Sequence, residues 1–171
     1  MPIYCTKELK EKNKNQALFI APNAYIVGDV ELKKNTSIWF GSNIRSDDKT
    51  TIIDENSAIL ENSYIENSVI GKNCIISHGA IIHNAIVGDN VFIGLGARVL
   101  NNCKLGNNSF IGAGALILPD TEVPSNSVMI GSPAKVLRKI RNNEIQNTKD
   151  AINKILKNAT KYASLVGNEE K

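Results

Sequence analysis

The aliphatic positions of this chain return every six residues. Beginning at Ile20 they run through Ile26, Leu32, Ile38 and Ile44, then Ile53, Ile59 and Ile65, then Ile70, Ile76 and Ile82. A last unbroken series follows from Val87 through Ile93, Val99, Leu105, Ile111, Ile117 and Val123 to Met129. Four residues after most of these comes a short side chain, such as Ala24, Thr36, Ser42, Ser57, Cys74, Ala80, Ala97, Cys103, Ser109 or Ala115. An amphipathic helix would need spacings of three and four. A period of six instead predicts an all-β solenoid, a parallel β-helix of hexapeptide repeats. Three hexads make one triangular coil: the aliphatic residue points inward from a short strand and the small residue fills the corner. Pairs such as Gly-Asp, Gly-Asn and Asn-Asn between hexads suit turns, because Gly and Asn tolerate left-handed backbone.

Helical spacing appears only after the repeats. From about Asn142 the apolar positions are Ile145, Ala151, Ile152, Ile155, Leu156, Ala159, Tyr162, Ala163 and Val166, a single stripe opposed by Lys and Asn. The reading is a lead-in over residues 1–19, the β-helix over 20–136, and a C-terminal amphipathic helix and tail over 137–171, with "GNEEK" as a solvated end. The helix is expected to lie along the prism or on a neighbouring subunit.

Composition narrows the function classes. A length of 171 residues suits one domain with a sizeable core. The net charge of +3, from 20 basic and 17 acidic residues scattered along the chain, offers no basic run for nucleic acid. No apolar run approaches the roughly 20 residues of a membrane span, and "KELKEKNKNQ" occupies the place of a signal sequence, so a cytoplasmic protein without a membrane partner is expected. The three cysteines show no metal-type pairing; Cys74 and Cys103 sit on the small inward position and read as core packing.

The repeat slips three times. Three extra residues lie between Ile44 and Ile53, and one is missing both between Ile65 and Ile70 and between Ile82 and Val87. Grouping hexads in threes puts Ile44, Ile65 and Ile82 on one side of successive coils, so the residues that follow, Arg45, Glu66 and His83, form an outward column. At a strand spacing of about 4.8 Å, vertical neighbours can share one ion. The same pattern also suits a weak solvated ion pair. His78, the only other histidine, falls at a corner from which it reaches a neighbouring subunit more readily than its own Glu66 and His83. Trp39 follows an inward residue and is expected to point outward into a contact between subunits; Tyr64 either lines the Glu66 face or covers the coil.

The segments "SIWFGSNIRSDD" and "SHGAIIHNAIVGDNVFIGLGARVL" through "GSPAKVLRKI" resemble the gamma-class carbonic anhydrases and their hexapeptide-repeat relatives over about residues 17 to 165. The resemblance implies a left-handed β-helix, a homotrimer, and a zinc or iron ion held between subunits by three histidines, two from one chain and one from the next. His78 and His83 match two of those ligands at the same spacing of five. Arg45 and Asp47 match an Arg-Gly-Asp element that pairs across the subunit interface, with Ser46 in place of glycine. The first ligand histidine becomes Glu66, the glutamine that orients bound water becomes Leu60, a nearby asparagine becomes Ala58, and the aspartate beside that glutamine becomes Glu61.

The resemblance therefore implies Glu66, His78 and His83 as metal ligands, Arg45, Asp47 and Glu61 as catalytic residues, and carbon dioxide or bicarbonate as substrate. Two histidines and a carboxylate are a legitimate zinc set with an open water position. A carboxylate adds negative charge beside the water, and Leu60 cannot hydrogen-bond it, so metal binding should outlast hydration activity. Two alternatives stay open at this point: a trimeric metal-binding or scaffold relative without turnover, and a CoA-dependent acyltransferase using His78 or His83 as base.

Overall fold

The computed structural model describes residues 3–166. These form a parallel β-solenoid of about six turns closed by a long helix. Most strands are only two residues long, because two residues are all that a triangular coil leaves between corners. On one side, Ile44, Ile65, Ile82, Val99 and Ile117 stack in register; on the next, Ile53, Ile70, Val87, Leu105 and Val123. The third side stacks Ile20, Ile38, Ile59, Ile76, Ile93, Ile111 and Met129. From Ile26 to Met129 every residue of the six-residue series is at most 3 % exposed, so one continuous aliphatic column is the core. Each such side chain contributes roughly 1.5–3 kcal/mol of burial free energy.

The corners explain the asparagines. Asn35, Asn56, Asn73 and Asn90 all take left-handed backbone conformations, with φ between 55° and 60°. Their side chains form a ladder in which the amide nitrogen of each donates to the amide oxygen of the next, at 3.1, 3.2 and 3.4 Å. A second ladder joins Asn84, Asn102 and Asp120.

The three inserted residues between Ile44 and Ile53 do not form a free loop. The strand Asn43–Ile53 runs through the corner beside Tyr25–Leu32, with a register shift between Gly28 and Val30. Gly28 is required here: its φ is +85°, and a Cβ would meet the Ser46 carbonyl oxygen at 2.1 Å. Thr51 Oγ1 donates to the Arg45 carbonyl at 2.7 Å and Ser46 Oγ to that of Lys49 at 2.6 Å, closing the bulge.

Two helices flank the coils. Helix α1, Lys7–Gln16, has no counterpart in the hydrophobic pattern. Its buried Asn13 donates to the Val30 carbonyl at 2.8 Å and accepts from Leu32 N–H at 2.9 Å, capping backbone groups at the open end of the first coil. The segment Ala134–Lys139 turns back as an antiparallel strand on Ser127–Gly131 before helix α2, Asn142–Val166. At the start of helix α2, Glu144 accepts from Arg141 N–H at 2.8 Å and pairs with Arg138 through both carboxylate oxygens.

Helix α2 packs along the third side of its own prism, burying Thr148, Ile152 and Ala159. This corrects the expectation for Trp39. That residue does point outward from the coil, but Tyr162 of α2 covers it at a ring separation of 5.4 Å, with Phe19 at 5.5 Å, leaving it 6 % exposed. The chain's own helix fills the place assigned to a neighbouring subunit.

Cys74 and Cys103 occupy the inward corners as small core residues, their thiols donating to the Gly88 and Leu118 carbonyls at 3.0 Å. Burial raises both thiols, Cys74 to about 12, which leaves them unreactive.

Candidate metal-binding site

The site grows from strand register. Arg45 of Asn43–Ile53, Glu66 of Tyr64–Glu66 and His83 of Ile81–His83 are direct partners in successive coils. In each coil the inward isoleucine fixes the strand, so the next side chain must face out, and three coils place three such residues in one column. The main chain of Glu66 is itself tied down: its carbonyl accepts from Ser68 Oγ at 2.6 Å and from Asn84 N–H at 2.9 Å.

Glu66 is the centre of the arrangement and is only 7 % exposed. Arg45 Nη2 lies 2.9 Å from its Oε1, while Tyr64 Oη donates to its Oε2 at 2.6 Å. The Tyr64 hydroxyl and the Arg45 guanidinium hold the Glu66 carboxyl below the usual range against the opposing effect of burial. Burial and the Glu66 hydrogen bond push the Tyr64 phenol up to about 12, so it stays a proton donor at neutral pH. Arg45 also reaches Asp47 at 3.1 Å, and its guanidinium stands 5.9 Å from the centre of the Tyr64 ring.

His83 completes the column. Its Nδ1 lies 2.8 Å from Asn101 Oδ1, an acceptor that pairs with the Nδ1–H tautomer, and its Nε2 faces Glu66 Oε2 at 3.5 Å. His78 lies elsewhere, at the corner, with Nδ1 2.7 Å from Glu61 Oε2. That contact is close but poorly aligned, and Glu61 Oε2 remains a buried oxygen without a hydrogen-bond donor. Arg45 Nε is likewise buried and unpartnered. Among the described residues, no group of three His, Cys, Asp or Glu side chains within the chain could hold an ion.

The residues present fit a zinc-type ion in two respects. Two ligand atoms on a tetrahedral ion at bond lengths of about 2.0–2.1 Å stand about 3.4 Å apart, close to the 3.5 Å between His83 Nε2 and Glu66 Oε2. An oxygen acceptor on the far ring nitrogen is also the usual device that fixes a ligating imidazole. Leu60 and Ala58 are buried in the core cluster, at 8 % and 0 % exposure, and offer no side-chain hydrogen bond to a water at the site.

Sequence reasoning found the column and left Tyr64 between two places, lining the Glu66 face or covering the coil, of which the structure shows the first; it missed Asn101. Asn101 lies 18 residues after His83, whereas Ile82 stacks on Val99 at 17, so strand register alone points to Leu100 and the missing residue at this corner shifts the partner to Asn101. Tyr64 and Glu66 are two apart on one strand, the spacing that puts both on the same face.

Comparison with known proteins agrees with this architecture. The family model of the GMPPB C-terminal domain matches residues 14–128. Gamma carbonic anhydrase 1, mitochondrial, of Arabidopsis thaliana is 34 % identical over 158 residues, covering 86 % of this chain; the chain spans 55 % of that relative's length. A carbonic anhydrase of Geobacillus kaustophilus is 37 % identical over 133 residues, with 75 % of this chain and 73 % of the relative covered. The structure of a hexapeptide transferase family protein from Anaplasma phagocytophilum superposes with a TM-score of 0.83 at 31 % identity, covering 94 % of this chain and 92 % of the other. No helix among the described residues is long and apolar enough to cross a membrane. The chain belongs to the gamma carbonic anhydrase-like hexapeptide-repeat β-helix proteins.

Proposed function

We propose that this protein assembles as a homotrimer, binds a divalent ion, zinc before iron, between subunits, and hydrates carbon dioxide to bicarbonate at a low rate. Glu66 and His83 of one subunit and His78 of its neighbour would hold the ion. The observation that carries the reading is the pairing of His83 Nε2 with Glu66 Oε2 at 3.5 Å while Asn101 takes the other ring nitrogen. Zinc bound there would supply hydroxide at neutral pH by lowering the pKa of its water to about 7.

The chain's own residues support this in distinct ways. Asn101 fixes the His83 tautomer, and Glu61 stands beside His78 Nδ1, placed to orient that ring once a partner draws it outward. Arg45 and Asp47 sit at the edge of the column, where Arg45 Nε is buried without a hydrogen-bond partner among the described residues. The low rate follows from Leu60, which replaces a hydrogen-bonding side chain with a buried apolar one.

The test is metal content and carbon dioxide hydration of untagged protein, for wild type and for Glu66→His. Bound zinc or iron with slow hydration, faster in Glu66→His combined with Leu60→Gln, supports the proposal. Protein that takes up neither ion overturns it.

A further inference from the structure

Resting on the metal reading above, we infer that Arg45 and Tyr64 are positioning residues that fix Glu66 as a one-oxygen, charge-compensated stand-in for an imidazole ligand. A free glutamate differs from histidine in two ways: it carries a negative charge, and it can offer two oxygens to one ion. The surroundings of Glu66 cancel both differences. Its Oε1 is occupied by Arg45 Nη2 at 2.9 Å, which leaves Oε2 as the oxygen facing His83 Nε2. The same guanidinium compensates the carboxylate charge at a position only 7 % exposed, where solvent screening is weak. Asp47 shares that nitrogen at 3.1 Å, but with 45 % of its side chain exposed it competes from the solvent side.

Tyr64 sets the direction of the remaining oxygen. Its hydroxyl donates to Oε2 at 2.6 Å from the same strand, two residues before Glu66, and the strand pleat keeps the two on one face. Among the described residues the hydroxyl makes no other hydrogen bond, and a coil covered by an apolar side chain alone would not require it. The arrangement presents one oxygen in one direction, which is what a histidine nitrogen does.

The test uses the full-length protein loaded with cobalt(II) as a spectroscopic probe, alongside zinc titrations, for wild type, Tyr64→Phe, Arg45→Gln and Arg45→Lys. Circular dichroism of each variant checks folding. Tyr64→Phe should weaken zinc binding about tenfold. In Arg45→Gln the freed Oε1 should join the ion, raising its coordination number and weakening the visible cobalt absorption; Arg45→Lys should keep the wild-type spectrum. Folded variants with zinc affinity within about twofold of wild type and unchanged cobalt spectra overturn this inference and leave the metal reading standing. Wild-type protein that binds neither ion overturns both.

Discussion

His83 stands directly over Glu66 in the next coil, Nε2 against Oε2 at 3.5 Å, with Asn101 one coil further on holding the opposite ring nitrogen. Three successive turns of the solenoid thus contribute one side chain each to a single column. Its geometry follows from the stacking of Ile65 on Ile82 and of Ile82 on Val99 inside the prism, so the core beneath sets the spacing of the site.

Asn101 should matter to metal binding and little to folding. The residue is exposed, and its side chain meets His83 without filling core space. Asn101→Ala is expected to weaken zinc affinity about 10- to 100-fold, the usual effect of losing an outer partner of a ligating histidine. A zinc titration beside a thermal melt measures both, and a melting point within a degree or two of wild type is expected.

Trp39 should act on stability within one chain. Trp39→Ala removes the ring on which Tyr162 and Phe19 pack and should cost about 3–5 kcal/mol. Denaturant unfolding measures the loss, and sedimentation should show an unchanged oligomeric state, since helix α2 of the same chain covers this residue.

The cap of helix α2 should give a pH-dependent contribution. Arg138, and then the Arg141 N–H, hold the Glu144 carboxyl down at about 2, against an ordinary value of 4.5. A depressed carboxyl stabilises the fold fully above its unfolded value and loses that contribution as pH falls through its folded value. Glu144→Gln should therefore lower the melting point at pH 7. The difference from wild type should shrink steadily below pH 4.5 and vanish near pH 2.

Leu60 should limit the rate. Leu60→Gln in a Glu66→His background is expected to raise kcat/KM for carbon dioxide hydration at least about tenfold over wild type, by restoring a hydrogen bond to the attacking water. A polar side chain in a site 8 % exposed should cost roughly 1–3 kcal/mol of stability. Stopped-flow hydration assays and melts of the same preparation separate the two effects.

The coils were legible because their cause is repetitive. An inward aliphatic residue every six positions, from Ile26 to Met129, leaves a count that any reader of the sequence can make. The column of Arg45, Glu66 and His83 was legible for the same reason, once the slips in register were placed. Helix α1 was not, because its polar sequence buries one asparagine whose partners are backbone groups, and no periodicity records that. Trp39 was misplaced because outward-facing does not distinguish a neighbour from the chain's own helix, and the approach of Tyr162 is a long-range fact. Which oxygen of Glu66 meets Arg45 and which meets Tyr64 depends on side-chain geometry that register alone does not set.

The central claim is that the ligands of one ion come from two subunits, and subunit mixing tests it most directly. His78→Ala and His83→Ala proteins are purified separately, then unfolded together and refolded, and bound zinc is measured per chain. Each variant alone should retain almost no zinc, and the mixture should regain a fraction of the wild-type content, because a His83 and Glu66 pair from one chain meets an intact His78 from the other. A mixture as empty as its parents, while wild type is loaded, would contradict the account.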